Sequence, residues 1–454
     1  MKNPLLKRVS GTAMAKIGQA GFGLILALVF ARVFGADSFG VYAYATATAT
    51  LVAIFSRFGF HVHIVYAINR AEAEGRSHEV GTILVTAYLA TTVLSVIGGL
   101  ALYGIGSLFP AWEMSDALGY GAALVALTAL VQLAGGAMQA LGRVVLGTSL
   151  EGIIKPVLLL GAVGVNLLFA TPQEIGYEGL LNAFVISQTI LVIASTALVV
   201  FWINKEIGVF TIYPRLAGGH IKESFPFLMT NAMSRLYQDA GLVAVGIAFT
   251  PAAVAMFRVA AQVASLIPFG LQALQIVLRP KIARMYVSGA TERAKLQRLI
   301  TRSTRILALV QSPVMIATVL FAPLLMGIFG DEYVAGAMLL TILAIGQCHS
   351  ILCGLNLDVL SMTGKSAIAA KWSFIALVIV IALMWPLMLL WGSVGAAVAV
   401  CVSRIIWNTG LLASAVRHTG LHTSVFGVLP WFSQTKDIDI EGPDAGTARD
   451  KGAA

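Results

Sequence analysis

The sequence predicts an all-α integral membrane protein, a bundle of about twelve spanning helices in two six-helix lobes. Composition is the first sign. Of 454 residues, 58% are hydrophobic, 11% are charged, and mean hydropathy is +0.87. An ordinary soluble domain carries about 25% charged residues. The second sign is that apolar stretches of about 20 residues, enough to cross a bilayer, recur from end to end. The third is that basic residues fall in alternate connections only. No stretch is left over for a sizeable soluble catalytic domain.

Spans are expected near 11–33, 41–63, 81–109, 118–140, 150–170 and 179–203, then 225–249, 253–278, 303–329, 335–358, 368–391 and 393–414. Lipid offers the backbone no hydrogen-bond partner, so only helices or closed barrels cross it, and these lengths suit helices. The first apolar run exceeds the roughly 7–15-residue core of a cleaved signal, which predicts a retained first helix.

Basic residues mark one side. They are Lys2, Lys7 and Arg8; Arg70 and Arg76; Arg143 and Lys155; Lys205, Arg215 and Lys222; Arg279 to Arg298; Lys365 and Lys371; and Arg417. The intervening connections, GADSFG (35–40), PAWEMSD (110–116), TPQEIGYEG (171–179), TPA (250–252), GDEY (330–333) and WGS (391–393), contain no Lys or Arg. By the positive-inside rule both termini face the cytoplasm. A bacterial inner membrane is the expected location. Loop asymmetry accounts for most of the net +9, so no nucleic-acid partner is expected, and 279–305 reads as a lipid-facing cytoplasmic stretch.

An offset near 215 residues relates the halves. FGVYAYATATATLV (39–52) matches VAMFRVAAQVASLI (254–267), and MQALGR (138–143) matches LSMTGK (360–365). Equivalent helices then run the same way, which implies a pseudo-two-fold axis along the membrane normal. The expected division is an N-terminal lobe over 1–204, a C-terminal lobe over 205–418 and a disordered cytoplasmic tail over 419–454.

The seventh span holds the most informative pattern. Asn231, Ser234, Arg235, Gln238 and Asp239 share one helix face. Arg235 and Asp239 are four apart and can pair, either gluing helices together or lining a wet lumen; the length of the polar stripe favours the lumen. Lys16 and Gln19 on the first span, Arg57 on the second, and Arg258, Gln262 and Gln272 on the eighth follow similar spacing. Gln132 and Gln347 match at mid-span. Arg32, Arg279 and Arg404 read as end charges that snorkel, and His61 and His63 as interfacial. Cys348, Cys353 and Cys401 show no metal-ligand spacing and read as packing residues. The deep charges are mainly cationic, so the expected cavity suits an anion.

FARVFGADSFGVYAYA (30–45), VAMFRVAAQVASLIPFGLQALQIVLRPKIARMY (254–286), FAPLLMGIFGDEYVAGAMLLTILAIG (321–346) and VLSMTGK (359–365) carry a family resemblance. The chain resembles the lipid-linked oligosaccharide flippases of polysaccharide biosynthesis, in the superfamily that includes multidrug and toxin extrusion transporters. The resemblance implies two lobes in a V with alternating access, no enzymatic activity and no cofactor. It implies an undecaprenyl-pyrophosphate-linked oligosaccharide as substrate, flipped outward for cell-surface polysaccharide. Arg57, Arg235, Arg258 and Lys16 are the expected pyrophosphate contacts, with Gln19, Asn231, Gln238, Gln262 and Gln272 as lumen polar groups. Asp239 is the expected coupling site for H+ or Na+. Membrane lipids and a polysaccharide polymerase are the expected partners. The competing reading is a cation-coupled multidrug antiporter of the same fold.

Overall fold

The computed structural model describes residues 4–206 and 213–427, and every regular element among them is helical. The first, α1 (Pro4–Ser56), has 53 residues but holds Gly35 at φ 76°, ψ 176°. A straight helix of that length would run about 80 Å, against a hydrocarbon core of about 30 Å. Gly35 lets the chain turn back, since a residue without Cβ adopts positive φ freely. The Phe30 and Tyr42 rings on the two arms consequently meet at 5.1 Å.

The second arm breaks at Arg57–Gly59, where Phe58 and Gly59 both take positive φ. Helix α2 (Phe60–Ala73) then continues ten residues past the expected end of the second span. Next come α3 (Val80–Leu108) and α4 (Ser115–Ala140). Helix α5 (Val144–Ser149), a π-helical turn (Leu150–Ile154) and α6 (Lys155–Asn166) make one span, Val144–Asn166. That span starts earlier than the expected 150–170, which corrects the placement of Lys155: it lies mid-span, not in a basic loop. The last N-terminal element is α7 (Pro172–Glu206).

The C-terminal half begins with α8 (Pro214–Ala248), followed by α9 (Pro251–Ala264) and α10 (Phe269–Val287), bent by 47° at a break that ends in Pro268. Helices α11 (Ala290–Leu320), α12 (Ala322–Gly327), α13 (Ala337–Cys353), α14 (Asn356–Met362), α15 (Ser366–Trp391) and α16 (Ser393–Thr419) complete it. Arg293, Lys295 and Arg298, expected in a loop, lie on α11 because that helix extends beyond the apolar run. Among the described residues nine helices are long and apolar enough to cross a membrane, or ten counting the bent pair as one span. All twelve expected stretches fall on helices; α1 supplies two, and α8 with Arg235 and Asp239 is not among the nine. Exposed Leu89, Ile97, Leu100, Ile193 and Leu309 give the bundle an apolar outer surface suited to lipid.

One buried cluster joins both halves. It brings Phe30, Tyr42 and Phe184 together with Val245, Phe257, Met326 and Tyr333. Toward the basic end the core splits. Phe60, Ile64, Leu133 and Met138 form one cluster, and Leu278, Ile282, Leu296 and Leu411 another. At the opposite end the halves are also tied by polar contacts. Arg32 Nε donates to the Ile328 carbonyl at 2.7 Å, and the Ala36 amide donates to Glu332 Oε1 at 2.8 Å. Arg32 therefore fastens the two halves across their join, where the sequence suggested a snorkelling end charge. Gly40 lies so close to Pro251 that an added Cβ would sit 1.8 Å from its carbonyl oxygen.

The start of the expected tail is packed. Leu421 is buried, Thr423 Oγ1 donates to the Cys353 carbonyl at 2.9 Å, and the His422 amide donates to Gln297 Oε1 at 2.8 Å. An apolar side chain with two such anchors outweighs the polar composition nearby. The expectation of disorder is thus corrected for 419–427, and 428–454 lie outside the described residues.

The glycine contact gives a test. Gly40→Ala is expected to destabilise the protein by about 1–3 kcal/mol, the usual cost of overpacking. Thermal unfolding in detergent reads this as a lower midpoint; an unchanged midpoint would mean that α1 and α9 are not in backbone contact.

Candidate functional site

The α9–α10 break is where the site opens. After Ser265 the Leu266 and Ile267 amides turn to carbonyls three residues back, Pro268 has no amide to donate, and Gln311 Nε2 donates to the Ile267 carbonyl at 2.7 Å. Such irregular backbone at membrane depth is tolerated where it is buried in protein or lines a polar cavity. A cavity of about 530 Å³ lies against this break, bounded by α8, α9, α10, α13, α15 and α16. Its wall includes Arg235, Gln238, Asp239, Arg258, Gln262, Ser265, Gln272, Gln347, Ser373 and Arg404. Tyr237, Phe257 and Trp407 form the aromatic part.

Charges are held individually. Arg235 Nε lies 3.0 Å from Asp239 Oδ2, one turn along α8; the Arg235 side chain is 44% exposed and that of Asp239 11%. Arg404 Nη1 donates to Gln347 Oε1 at 2.8 Å, and its guanidinium lies 5.7 Å from the Tyr237 ring centroid. This corrects the reading of Arg404 as an end charge: it is the twelfth residue of 27 in α16, at mid-span. Among the described residues lining the cavity, three arginines face one carboxylate.

The N-terminal half adds to the same electrostatic field. Lys155 is within electrostatic reach of Arg235, Arg258 and Glu151, and its Nζ lies 5.2 Å from the Phe184 ring centroid. Arg57 is within reach of Glu151 and Arg235. Arg57 is only 6% exposed and donates from Nε to the Ala53 carbonyl at 3.2 Å. It does not line the cavity wall, and adds charge from behind it.

Taken across both halves, Arg57, Lys155, Arg235, Arg258 and Arg404 oppose Glu151 and Asp239, a surplus of three positive charges.

The other sequence-based candidates divide. Gln238, Gln262 and Gln272 line the cavity, and Gln262 reaches toward Gly23 of α1. Asn231 turns back to its own helix, donating to the Phe227 carbonyl at 2.8 Å. Gln19 is exposed on α1 beside Gly152 of the π turn and does not line the cavity. The side chain of Lys16 lies outside the described residues. Arg279, also read as an end charge, holds buried Asp358 at 2.6 Å away from the cavity. Sequence reasoning missed Glu151 and Lys155; their four-residue spacing within an apolar span was the available signal.

The family model described as "Polysaccharide biosynthesis protein" matches residues 5–286. The chain belongs to this family. No curated protein sequence matches it. Among solved structures, "Lipid II flippase MurJ, inward closed conformation" is similar at TM-score 0.69 and 13% identity, covering 89% of this chain and 87% of that one. An inward-facing multidrug resistance MATE family transporter of the MOP superfamily gives TM-score 0.69 at 13% identity, covering 89% and 98%. A MOP superfamily transporter from Pyrococcus furiosus, described as having a binding pocket of reverse polarity, gives 0.58 at 14%, covering 90% and 95%. The fold is shared with these flippases and transporters, and the chain is a multi-pass membrane protein of the polysaccharide biosynthesis family.

Arg404→Met keeps bulk and removes charge. If the cavity takes a diphosphate, the variant is expected to bind soluble pyrophosphate about tenfold more weakly than the wild type, since hydrogen bonds to charged groups are worth roughly 1.5–3 kcal/mol. Titration calorimetry on the purified protein checks this, and equal affinity would take Arg404 out of the site.

Proposed function

We propose that the protein flips an undecaprenyl-pyrophosphate-linked oligosaccharide from the cytoplasmic to the outer leaflet of the bacterial inner membrane. The observation that carries this reading is the surplus of three positive charges around a cavity whose wall comes from the C-terminal half, with Arg57 and Lys155 of the N-terminal half in electrostatic reach. Uncompensated cations at membrane depth cost several kcal/mol each, and a diphosphate entering between them would relieve that cost. Guanidinium groups replace lost phosphate hydration through charge-assisted hydrogen bonds. Membership of the polysaccharide biosynthesis family supports a glycan cargo. The polyprenyl tail stays in lipid throughout, passing between helices as the head group crosses.

Arg235, Arg258 and Arg404 contact the pyrophosphate in this scheme, while Arg57 and Lys155 hold the local potential positive. Gln238, Gln262 and Gln272 meet sugar hydroxyls. A membrane potential of about 100 mV, negative inside, favours outward anion movement by roughly 2.3 kcal/mol per charge. Asp239 exchanges its partner for H+ or Na+ when the anion claims Arg235. A multidrug antiporter for organic cations would need a free carboxylate in the cavity, whereas Asp239 is paired with Arg235. The polymerase that consumes the flipped unit acts at the outer face.

Reconstitution in liposomes with a fluorescent lipid-linked sugar tests this. Arg235→Ala and Arg258→Ala are each expected to slow translocation at least about tenfold, the loss of one charge-assisted contact. Asp239→Asn is expected to abolish ion dependence while leaving pyrophosphate binding. Translocation of organic cations by the wild type, unaffected by the arginine variants, would overturn the reading.

A further inference from the structure

At the basic end, away from the cavity, three ligating side chains converge across the join between the halves. His63 comes from α2 in the N-terminal half, and His220 and Glu223 come from α8 in the C-terminal half. Their ligand atoms all lie within 4.8 Å of one another. His63 Nε2 faces His220 Nδ1 at 3.4 Å. Two nitrogens bound to one tetrahedral zinc at about 2.0–2.1 Å are separated by about 3.3–3.4 Å. The observed spacing therefore fits a shared ion better than a direct hydrogen bond, which is shorter at about 2.7–3.2 Å.

The backbone fixes this geometry. Gly59, four residues before His63, has positive φ, and an added Cβ would lie 2.4 Å from the Ser224 carbonyl oxygen of α8. That approach sets α8 down on the start of α2. His63 is fully buried, and among the described residues no hydrogen bond holds His63 Nδ1 or His220 Nε2. Neither tautomer is pinned by an outer partner, so both facing nitrogens can present lone pairs to a metal.

Local charge also suits a cation. Around the cluster, Arg70 and Arg76 are opposed by Glu74, Glu79 and Glu223, so the network carries one net negative charge. Arg76 engages Glu79 and Glu74, while Arg70 reaches Glu223 only at 4.0 Å, leaving that carboxylate, half exposed, free to turn inward.

We propose that His63, His220 and Glu223 form a site for a divalent transition-metal ion of the zinc type, which clamps α2 to α8 and pins the two halves together at the basic end. Two imidazoles and a carboxylate supply three ligands, and water takes the fourth position. The ion binds as a cross-link and takes no part in chemistry. Because the ligands come from different halves, occupancy opposes any motion that separates α2 from α8.

Zinc chloride titration of the full-length protein in detergent tests the site, with magnesium chloride as the control; the readout does not depend on the proposed cargo. The expected result is one zinc per chain and a raised unfolding midpoint with zinc but not with magnesium. His220→Asn and Glu223→Gln, both at incompletely buried positions, are expected to weaken zinc binding by at least the roughly 10–100-fold that loss of an outer-shell partner costs. His63→Asn should do the same, and if it fails to fold the two α8 variants still decide. No zinc binding at 100 times the protein concentration, or equal binding by wild type and both α8 variants, would overturn the proposal.

Discussion

Positive charge inside a low-dielectric bundle is the constraint on which the rest depends. A cation at that depth costs several kcal/mol unless something answers it, and four of the five here are answered, each differently. Asp239 pairs with Arg235, Gln347 accepts from Arg404, and Arg57 leans on its own helix carbonyl. Lys155 has a ring beside it and Glu151 one turn before it. These partial answers leave a surplus of positive charge, which is the basis for the proposed anionic cargo. The bend at Pro268 belongs to the same solution. Breaking the helix between Arg258 and Gln272 turns both arms of the bent pair toward the cavity, while the backbone groups at the break are held by turn bonds and by Gln311.

Much of the site was legible because helical periodicity reports rotation about an axis. Gln238 and Asp239 beside Arg235, and Gln262 four residues from Arg258, were found that way, and all five line the cavity. Periodicity does not report depth, which is why Arg404 passed for an end charge although it sits in the middle of α16. It also assumes an unbroken helix. The Arg57 amide still bonds to the Ala53 carbonyl, so the residue keeps its helical phase, but the helix breaks just after it and its side chain folds back, buried, onto that same carbonyl. The π turn at Leu150–Ile154 adds a residue to a turn and hid the pair Glu151 and Lys155. Such turns occur often at functional positions. Contacts such as His63 with His220, separated by 157 positions, leave no local trace in a single sequence. Fold class fared better, because hydropathy and loop charge are sums over many residues and survive local exceptions.

The two ends of the bundle are joined by different means. Away from the basic residues, backbone touches backbone at Gly40 and Pro251, and Tyr44 lies against Gly246. Those contacts are shape-dependent and lose their dispersion energy with a small displacement. At the basic end the join is made by side chains: Phe58 against Phe225, Tyr66 against Phe227, and the histidine pair. Side chains of this sort can repack as helices slide, whereas a glycine contact is either made or broken. In the proposed cycle the glycine end therefore serves as a latch and the basic end as a seam that is adjustable until an ion pins it.

For the proposed flipping such a latch must still be weak enough to release. Its polar part consists of the Arg32 hydrogen bonds to the Ile328 and Gly327 carbonyls and the Ala36 amide bond to Glu332. Each contributes about 0.5–1.5 kcal/mol net, with charged partners toward the upper value or beyond. Moving one negative charge outward across about 100 mV releases roughly 2.3 kcal/mol. The two quantities are of the same order. A multiply charged head group that neutralises the cationic cavity would thus supply a drive comparable with the latch it has to open, whereas a neutral or cationic cargo would supply none. In the proposed cycle charge selection and gate opening share one origin, the surplus of arginine and lysine around the cavity.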